Sequence, residues 1–295
     1  MKIENSQFSI LIRGRQALMN VIRKPAVAGR FYPGDAAELA RMVQEFVVPT
    51  GESQKAIGLV VPHAGYIYSG HVAGAVYSRI QLHERNIVLC PNHTGFGKPL
   101  SIMKSGSWRT PLGEMQIDQA LSEILMSADP HLEDDIEAHR FEHATEVQLP
   151  FLQQCGPAGG RFVPITIGTS NLQRLQELGQ AMAGVVKKNA PDALIIASSD
   201  MNHYESDAVT RVKDRKAIDQ ILAMDPEGLF DVVRRENISM CGYGPAVAML
   251  TAAKTLGATK AELVKYATSA DASGDRSAVV GYAGIIVYSG KNQTQ

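Results

Sequence analysis

Short apolar runs rich in β-branched residues recur along the chain and predict buried strands. Between them lie longer stretches with helical spacing, and two of these begin with capping side chains, Asp35 and Asn171. Strands that alternate with helices predict a layered α/β/α fold around a central, largely parallel or mixed sheet. The predicted strands are 56–61, 86–90, 162–167, 193–197 and 279–287, and the predicted helices are 36–47, 172–188, 208–223, 227–235 and 245–256.

The chain of 295 residues is long enough to bury a substantial core in one large α/β domain. We assign residues 23–290 to this domain, because no linker rich in proline, glycine or serine divides them. The glycine-rich segment 156–160 predicts a connection from a helix to a strand. Residues 1–22 form a predicted N-terminal extension, either a strand or a helix docked on a partner subunit, since termini are ordered only when they are tied down.

Composition narrows the class of protein. The chain has 45% hydrophobic residues and a net charge of -1, without the basic excess that binding to a phosphate backbone requires. We therefore expect no nucleic-acid partner. The apolar runs are shorter than a transmembrane helix, so we also expect no membrane association. The three cysteines, Cys90, Cys155 and Cys241, form no disulfide framework and indicate a reducing, cytoplasmic location.

Polar residues follow three of the predicted strands at the point where each strand ends. His63 follows the first strand, His93 the second, and Asp200 and His203 the fourth. The carboxyl ends of parallel strands share one edge of the sheet, and ligands bind outside that edge. A single histidine in such a place is more often structural or exposed. The shared position favours one common site, because a proline lies one residue before His63 and two before His93, and a glycine lies two residues after each.

Cys241 lies in a glycine-rich segment directly before a predicted helix. Backbone N–H groups at a helix N-terminus stabilise a thiolate, which favours metal binding or nucleophilic chemistry. Two imidazoles and one thiolate suit Zn(II), Fe(II) or copper, and three protein ligands leave a position open for water or substrate. Asp200 and His203 either add a ligand or form an acid–base pair in which the carboxylate orients the imidazole.

His143 and Glu146 are three residues apart, a spacing that puts both on one face of a predicted helix. Such pairs are common on solvated helices, so this pair indicates a site only together with other residues. Cys90, inside a predicted strand, is interpreted as a small buried residue. The histidines without convergent partners are interpreted as structural or exposed, and they are His71, His83, His131 and His139.

Six motifs occur in order along the chain. They are Ala28-Gly29-Arg30-Phe31-Tyr32-Pro33, Pro62-His63-Ala64-Gly65-Tyr66, Pro91-Asn92-His93, Glu142-His143 with Glu146, Ser198-Ser199-Asp200 with His203, and Cys241-Gly242. In this order they resemble the Memo family, which includes the prokaryotic AmmeMemoRadiSam system protein B. The resemblance extends from about residue 25 to the last predicted strand, and the ordered set is far more specific than any one motif.

The resemblance implies a fold similar to class III extradiol dioxygenases and a pocket in which His63, His93 and Cys241 bind a transition metal. Fe(II) is the first choice, with copper or zinc as alternatives. Because the dioxygenases use a carboxylate where Cys241 stands, a redox role is as compatible with these residues as ring cleavage. The implied partners are a small molecule or peptide, a radical-SAM protein and an AMMECR-type protein. We predict catalytic roles for His203, Asp200 and His143, and a substrate pocket lined by Phe31, Tyr32, Tyr66 and Glu146.

The sequence leaves three functions open. A metal-dependent oxidoreductase, with His203 as the acid–base group, follows from the predicted metal ligands. A non-catalytic module that binds a peptide or a partner would keep the pocket without its chemistry, with aromatic contacts from Phe31, Tyr32, Tyr66 and Tyr68. Metal-assisted hydrolysis needs only a zinc-bound water and a base. We rank hydrolysis last, because no residue identifies a scissile substrate.

Overall fold

The computed structural model describes residues 21–49, 51 and 53–290. The first twenty residues, which make up most of the predicted N-terminal extension, lie outside the described residues, so the division into an extension and one domain stays a prediction. The strands are β1 Ile22–Arg23, β2 Gly58–Val61, β3 Arg85–Pro91, β4 Leu100–Ile102, β5 Ser107–Thr110, β6 Gly113–Ile117, β7 Glu133–Asp134, β8 Arg161–Ile167, β9 Leu194–Ser198, β10 His203–Glu205, β11 Lys260–Thr268 and β12 Val279–Tyr288.

Helices flank this sheet, and short 3-10 helices cover Glu137–His139 and Glu146–Gln148. Asp35 and Asn171 cap the first and fifth helices as predicted, because each side chain accepts an amide proton three residues further on. All five predicted helices are confirmed to within about two residues at each end. The helices are α1 Ala36–Phe46, α2 Tyr66–Tyr77, α3 Gln119–Ala128, α4 Leu149–Cys155, α5 Leu172–Asn189, α6 Asp207–Leu222, α7 Pro226–Arg235, α8 Tyr243–Thr255 and α9 Ala270–Ser273.

The centre of the sheet consists of the four parallel strands β8, β3, β9 and β2, in that spatial order. Every residue of β2 and β9 is buried, which explains their continuous apolar sequences. Strand β12 pairs antiparallel with β2 and makes the sheet mixed. The five predicted strands are therefore confirmed, and the glycine-rich segment 156–160 does connect a helix, α4, to a strand, β8.

The sequence pattern did not reveal the outer strands. β1, β4, β7 and β10 are only two or three residues long, too short to show a period. The longer β11 pairs antiparallel with β12 but is only half-buried along most of its length, so its residues include lysines and a glutamate. A half-buried strand of this kind has no continuous apolar run.

Hydrophobic cores lie on both faces of the sheet. Alternate strand residues point to opposite faces, so Val60 of β2 packs in one core while Leu59 and Val61 pack in the other. Helices α5, α7 and α8 cover the first core, and α1, α2 and α4 cover the second. This arrangement is the predicted α/β/α layering, and it leaves the carboxyl ends of β2, β3 and β9 together at one edge. Among the described residues, no helix is long and apolar enough to cross a membrane.

Candidate metal centre

Three imidazoles converge at the carboxyl edge of the parallel strands. His63 is the second residue after β2, His93 is the second after β3, and His143 comes from the segment between the two 3-10 helices. One nitrogen from each ring lies within 4.8 Å of the others, so the three side chains could hold a metal ion. The ring centroids of His93 and His143 are 4.6 Å apart, and those of His63 and His93 are 5.2 Å apart.

The prediction of one helix that carries His143 and Glu146 on the same face is wrong. Residue 143 lies in a non-helical segment, and only the short 3-10 helix Glu146–Gln148 follows it. The reason is local, since the Glu142 carboxylate accepts the amide protons of both His93 and Ala144, at 2.7 and 2.9 Å. These bonds hold the chain in a turn that directs the imidazole of His143 toward His63 and His93.

His93 is paired with a buried carboxylate. Its Nδ1 lies 2.9 Å from Glu142 Oε1, which leaves Nε2 for a ligand. Burial by itself would lower the pKa of His93, but the hydrogen bond and charge of Glu142 outweigh it and raise this pKa above its ordinary value. For Glu142, burial would raise the pKa, and the hydrogen bond and charge of His93 bring it below its ordinary value instead. The pair therefore carries its charges together.

His63 has an uncharged partner. Its Nδ1 lies 3.0 Å from Ser198 Oγ, and its side chain is almost completely buried. Burial, and next the positive charge that His143 and His93 would carry, lower the pKa of His63 well below its ordinary value. Burial also lowers the pKa of His143, to about 4. Both rings are thus neutral at pH 7, the form in which imidazole binds a metal.

Cys241 joins the site through His63. Its Sγ lies 3.3 Å from His63 Nε2 and 3.7 Å from the carbonyl oxygen of Asp200. A stabilised thiolate was expected at the start of α8, but burial, and next the charge of Asp200, raise the pKa of Cys241 far above its ordinary value. This expectation is wrong for the thiol without a bound cation, because burial and the charge of Asp200 both disfavour the thiolate. A bound cation is what would favour loss of the thiol proton.

Asp200 and His203 lie at the same edge but are not held by each other. Asp200 Oδ1 accepts the amide protons of His63 and Ala64, at 2.8 and 3.3 Å, so this carboxyl supports the turn that carries His63. Burial raises the pKa of Asp200. The Nδ1 of His203 donates to the carbonyl oxygen of Ser239 at 2.8 Å. The expectation that Asp200 orients His203 is therefore wrong, because the main chain at Ser239 holds the ring.

The predicted pocket residues divide into two groups. The ring of Phe31 packs 4.8 Å from the ring of His143, so Phe31 does lie at the site. Tyr32 and Tyr66 are buried, and their hydroxyls donate to Glu146 Oε1 at 2.5 Å and to the carbonyl oxygen of Val147 at 2.7 Å. Their phenols are thus satisfied inside the protein, and their roles in substrate binding stay predictions.

Every contact of the Glu146 carboxylate is with another group of the protein, which indicates a structural role. It is fully buried, pairs with the guanidinium of Arg23, and accepts the amide protons of Ala26 and Val27 at 2.8 and 3.0 Å. Arg23 also donates to the carbonyl oxygen of Glu142 at 2.7 Å. These bonds fasten the segment after β1 to the segment that carries His143. The spacing of Glu146 from His143 therefore marks a support of the site.

Sequence reasoning missed several residues that support the imidazoles. Glu142 stood in a recognised motif without a role, because its partner His93 lies 49 residues earlier and no local pattern links a carboxylate to a distant metal-binding histidine. Ser198 also stood in a recognised motif without a role, and Ser239, in the segment between α7 and α8, gave no signal at all. Of the remaining histidines, His139 is fully buried behind the site and His131 is exposed, in agreement with their structural or exposed assignment.

These features define a class of protein, a layered α/β protein with an imidazole-rich centre, able to hold a metal, at the carboxyl edge of its sheet. The chain matches the family model for Memo-like protein over residues 23–286 and belongs to that family. A MEMO1 family protein of Methanopyrus kandleri is 42% identical over 277 residues, covering 90% of this chain and 98% of the relative. One of Methanosarcina barkeri is 43% identical over 267 residues, covering 90% and 100%.

A solved structure shares the fold. The crystal structure of an uncharacterized protein from Escherichia coli K12 matches with a TM-score of 0.54 and covers 78% of this chain and 98% of its own. Its sequence is only 12% identical, so the likeness concerns the fold alone.

Proposed function

We propose that this protein is a metal-dependent oxidoreductase that binds iron or copper, foremost Fe(II), at His63, His93 and His143, with Cys241 as a thiolate donor beside His63. The proposal is carried by one observation, the convergence of three imidazole nitrogens within 4.8 Å. Imidazole nitrogens together with one thiol suit borderline-soft transition metals, whereas magnesium and calcium prefer oxygen ligands. The donors present therefore fit the metal that the family resemblance implies.

The residues around the ligands have separate tasks in this proposal. Glu142 keeps the Nε2 of His93 directed away from the carboxylate, and Asp200 holds the backbone turn at His63. When bound, iron or copper supplies one-electron redox chemistry. His203, with Nδ1 donating to the Ser239 carbonyl, keeps Nε2 as a proton acceptor for a substrate hydroxyl or thiol. Phe31 beside His143 supplies an apolar wall.

Metal analysis of protein purified without oxygen tests this function. We expect stoichiometric iron or copper, and we expect His63→Ala, His93→Ala and His143→Ala each to abolish it. His131→Ala, which removes an exposed imidazole, is the matched control and should retain the metal. Cys241→Ser should weaken binding and shift the midpoint potential, because a thiolate stabilises the oxidised ion.

Two results would contradict the proposal. Protein that binds no transition metal under these conditions would remove its basis. Zinc as the sole native metal would exclude redox chemistry at the ion and favour metal-assisted hydrolysis instead. Binding of a peptide that persists in all three alanine variants would favour the non-catalytic binding module.

Location and partners form part of the same proposal. Cys90, Cys155 and Cys241 are all free thiols, which supports a reducing compartment such as the cytoplasm. A radical-SAM protein and an AMMECR-type protein are the proposed macromolecular partners. Co-purification of the full chain with each of them, compared with His131→Ala and His63→Ala, tests whether the partners need the metal centre.

A further inference from the structure

A series of hydrogen bonds runs from the side-chain amide of Gln148 through Ser198 to His63, and the donor and acceptor of each bond can be assigned. Gln148 is fully buried, and its Nε2 lies 2.9 Å from the carbonyl oxygen of Pro62. A carbonyl oxygen only accepts, so this end of the amide must be the NH2 group. The hydroxyl of Tyr77 lies 3.0 Å from Gln148 Oε1 and donates to it. The direction of the Gln148 side chain is therefore determined.

The same amide determines the direction of the Ser198 hydroxyl. Gln148 Nε2 donates its second proton to Ser198 Oγ at 2.9 Å. Ser198 Oγ lies 2.7 Å from the carbonyl oxygen of Ala144, and it must donate there because that oxygen only accepts. A serine hydroxyl has one proton, which this bond uses. What remains on Ser198 Oγ for its neighbour at 3.0 Å, His63 Nδ1, is a lone pair.

We infer that Ser198, oriented by Gln148, is the positioning residue that fixes His63 with its proton on Nδ1 and its lone pair on Nε2. That nitrogen lies 3.3 Å from Cys241 Sγ and accepts the thiol proton, since the other acceptor of that proton, the carbonyl oxygen of Asp200, is farther away at 3.7 Å. His63 also belongs to the group of three imidazoles. Ser198 performs for His63 the task that the Glu142 carboxylate performs for His93, without a charge. The inference rests on the proposed function only in its last step, the use of Nε2 as a metal ligand.

Ser198 also sets the spacing between two of the imidazoles. It is the last residue of β9, and it bonds to the side chain of His63 and to the main chain at Ala144, next to His143. Gln148 ties the main chain at Pro62 to the same hydroxyl. Both side chains are fully buried, so water does not compete for these bonds. One hydroxyl thus joins the segments that carry His63 and His143.

Nitrogen NMR of the metal-free wild-type protein, with labelled histidine, tests the tautomer directly. The ring-nitrogen shifts distinguish a protonated from an unprotonated nitrogen, and the signals of His63 are assigned by their loss in His63→Gln. We expect Nδ1 of His63 to carry the proton at pH 7. A proton on Nε2 in the wild-type protein would overturn the inference, whatever the variants do.

Variants test the role of the hydroxyl in metal affinity. Ser198→Ala should lose the single tautomer and weaken binding of Co2+ or Zn2+ by about 10- to 100-fold, the usual effect of removing a partner of a metal-binding histidine. Ser198→Thr, which keeps a hydroxyl, should restore the tautomer. The matched control is Ser122→Ala in α3, because Ser122 is equally buried and its hydroxyl has no partner among the described residues. Unchanged tautomer and affinity in folded Ser198→Ala would refute the inference.

Failure of this inference and failure of the proposed function are distinguishable. If the wild-type protein binds no transition metal but His63 is protonated on Nδ1, the metal function fails and the positioning role of Ser198 stands. If the metal binds and the Nδ1 proton is absent in the metal-free protein, the positioning role fails and the metal function stands.

Discussion

His63 and His93 occupy equivalent positions and have opposite electrostatic environments. Each is the second residue after a central parallel strand. His63 is almost completely buried and rests on the neutral Ser198, so its pKa lies well below the ordinary value. The side chain of His93 is 32% exposed and rests on the buried Glu142, so its pKa is raised. The position after a parallel strand brings each histidine to the site, and the hydrogen-bond partner of the ring determines whether the ring is charged.

This difference has a consequence for metal binding. A metal that binds His93 would have to displace a proton whenever that ring is charged, whereas the ring of His63 is neutral at pH 7 and could bind directly. The neutral side also holds the thiol of Cys241, and the charged side holds the carboxylate. Burial therefore keeps His63 in the neutral form that binds a metal. On the other side of the site, the Glu142 carboxylate holds the ring of His93 in a fixed orientation.

The largest expected effect comes from removing the charge on the His93 side. In Glu142→Gln the pKa of His93 should fall below its ordinary value, because burial then acts without the compensating carboxylate. Metal affinity should fall by about 100-fold, or ~2.7 kcal/mol, since the ring loses its orienting partner. Histidine NMR titration and metal competition assays measure the two quantities. Glu137→Gln, which removes the charge of an exposed carboxylate earlier in the same segment, is the control. A His93 pKa that stays raised in Glu142→Gln would disprove the assigned cause.

A smaller effect is expected from disturbing the His63 side alone. A Cβ on Gly242 would lie 2.4 Å from Ser199 Cβ and 2.5 Å from the carbonyl oxygen of Ser198. Gly242→Ala should therefore push Cys241 away from His63 and lower the free energy of unfolding by roughly 2 kcal/mol. Urea unfolding measures the loss, and the His93 pKa should not change. Gly184→Ala in α5, where a Cβ meets nothing within 4 Å, is the matched control and should be neutral or stabilising.

The smallest effect is the pH dependence of stability in the presence of a chelator. The folded-state pKa of His63 is lowered, so the unfolded chain takes up the proton first and His63 costs stability as pH falls below about 6.5. In His63→Gln, the free energy of unfolding should therefore fall less steeply on acidification, by about 1.4 kcal/mol per pH unit below this value. His93 has a raised pKa and contributes stability at low pH that is lost as pH rises through that pKa.

Substitution of His93 should change the pH dependence of stability in the opposite direction, which makes the comparison of the two variants decisive. His93→Gln should make the loss of stability on acidification steeper, by less than the His63 effect, because a partly exposed pair is screened by solvent. Urea unfolding at pH 7.5 and pH 5.5 gives both slopes. The same sign of change in both variants would mean that the two imidazoles do not differ in their environment.

Local pattern predicted the scaffold well. The central strands are buried on both faces, so their apolar runs are visible in the sequence without knowledge of their neighbours. The helix caps Asp35 and Asn171 bond to amides only three residues further on, so they too can be recognised from local sequence. The short and half-buried outer strands were missed, since their pairing depends on partners far away in the chain.

The candidate site was predicted in part. The rule that parallel strands present their carboxyl ends at one edge was enough to bring His63 and His93 together. His143 was predicted to be a catalytic residue on a helix and not a member of the metal-binding group, because nothing local shows that Glu142 accepts amide protons from two segments. The same limitation applied to Glu146, whose partner Arg23 lies more than a hundred residues earlier in the chain.

The sequence by itself determined the layered α/β fold, the histidines at two strand ends and the membership of the Memo family. Only the tertiary structure decided which side chains complete the centre and which support it. The reason is physical: strand and helix formation depends on neighbours a few residues apart, whereas protonation and ring orientation depend on burial and hydrogen bonds across the fold. Ser198 shows this best, since its role exists only where Gln148, Ala144 and His63 meet.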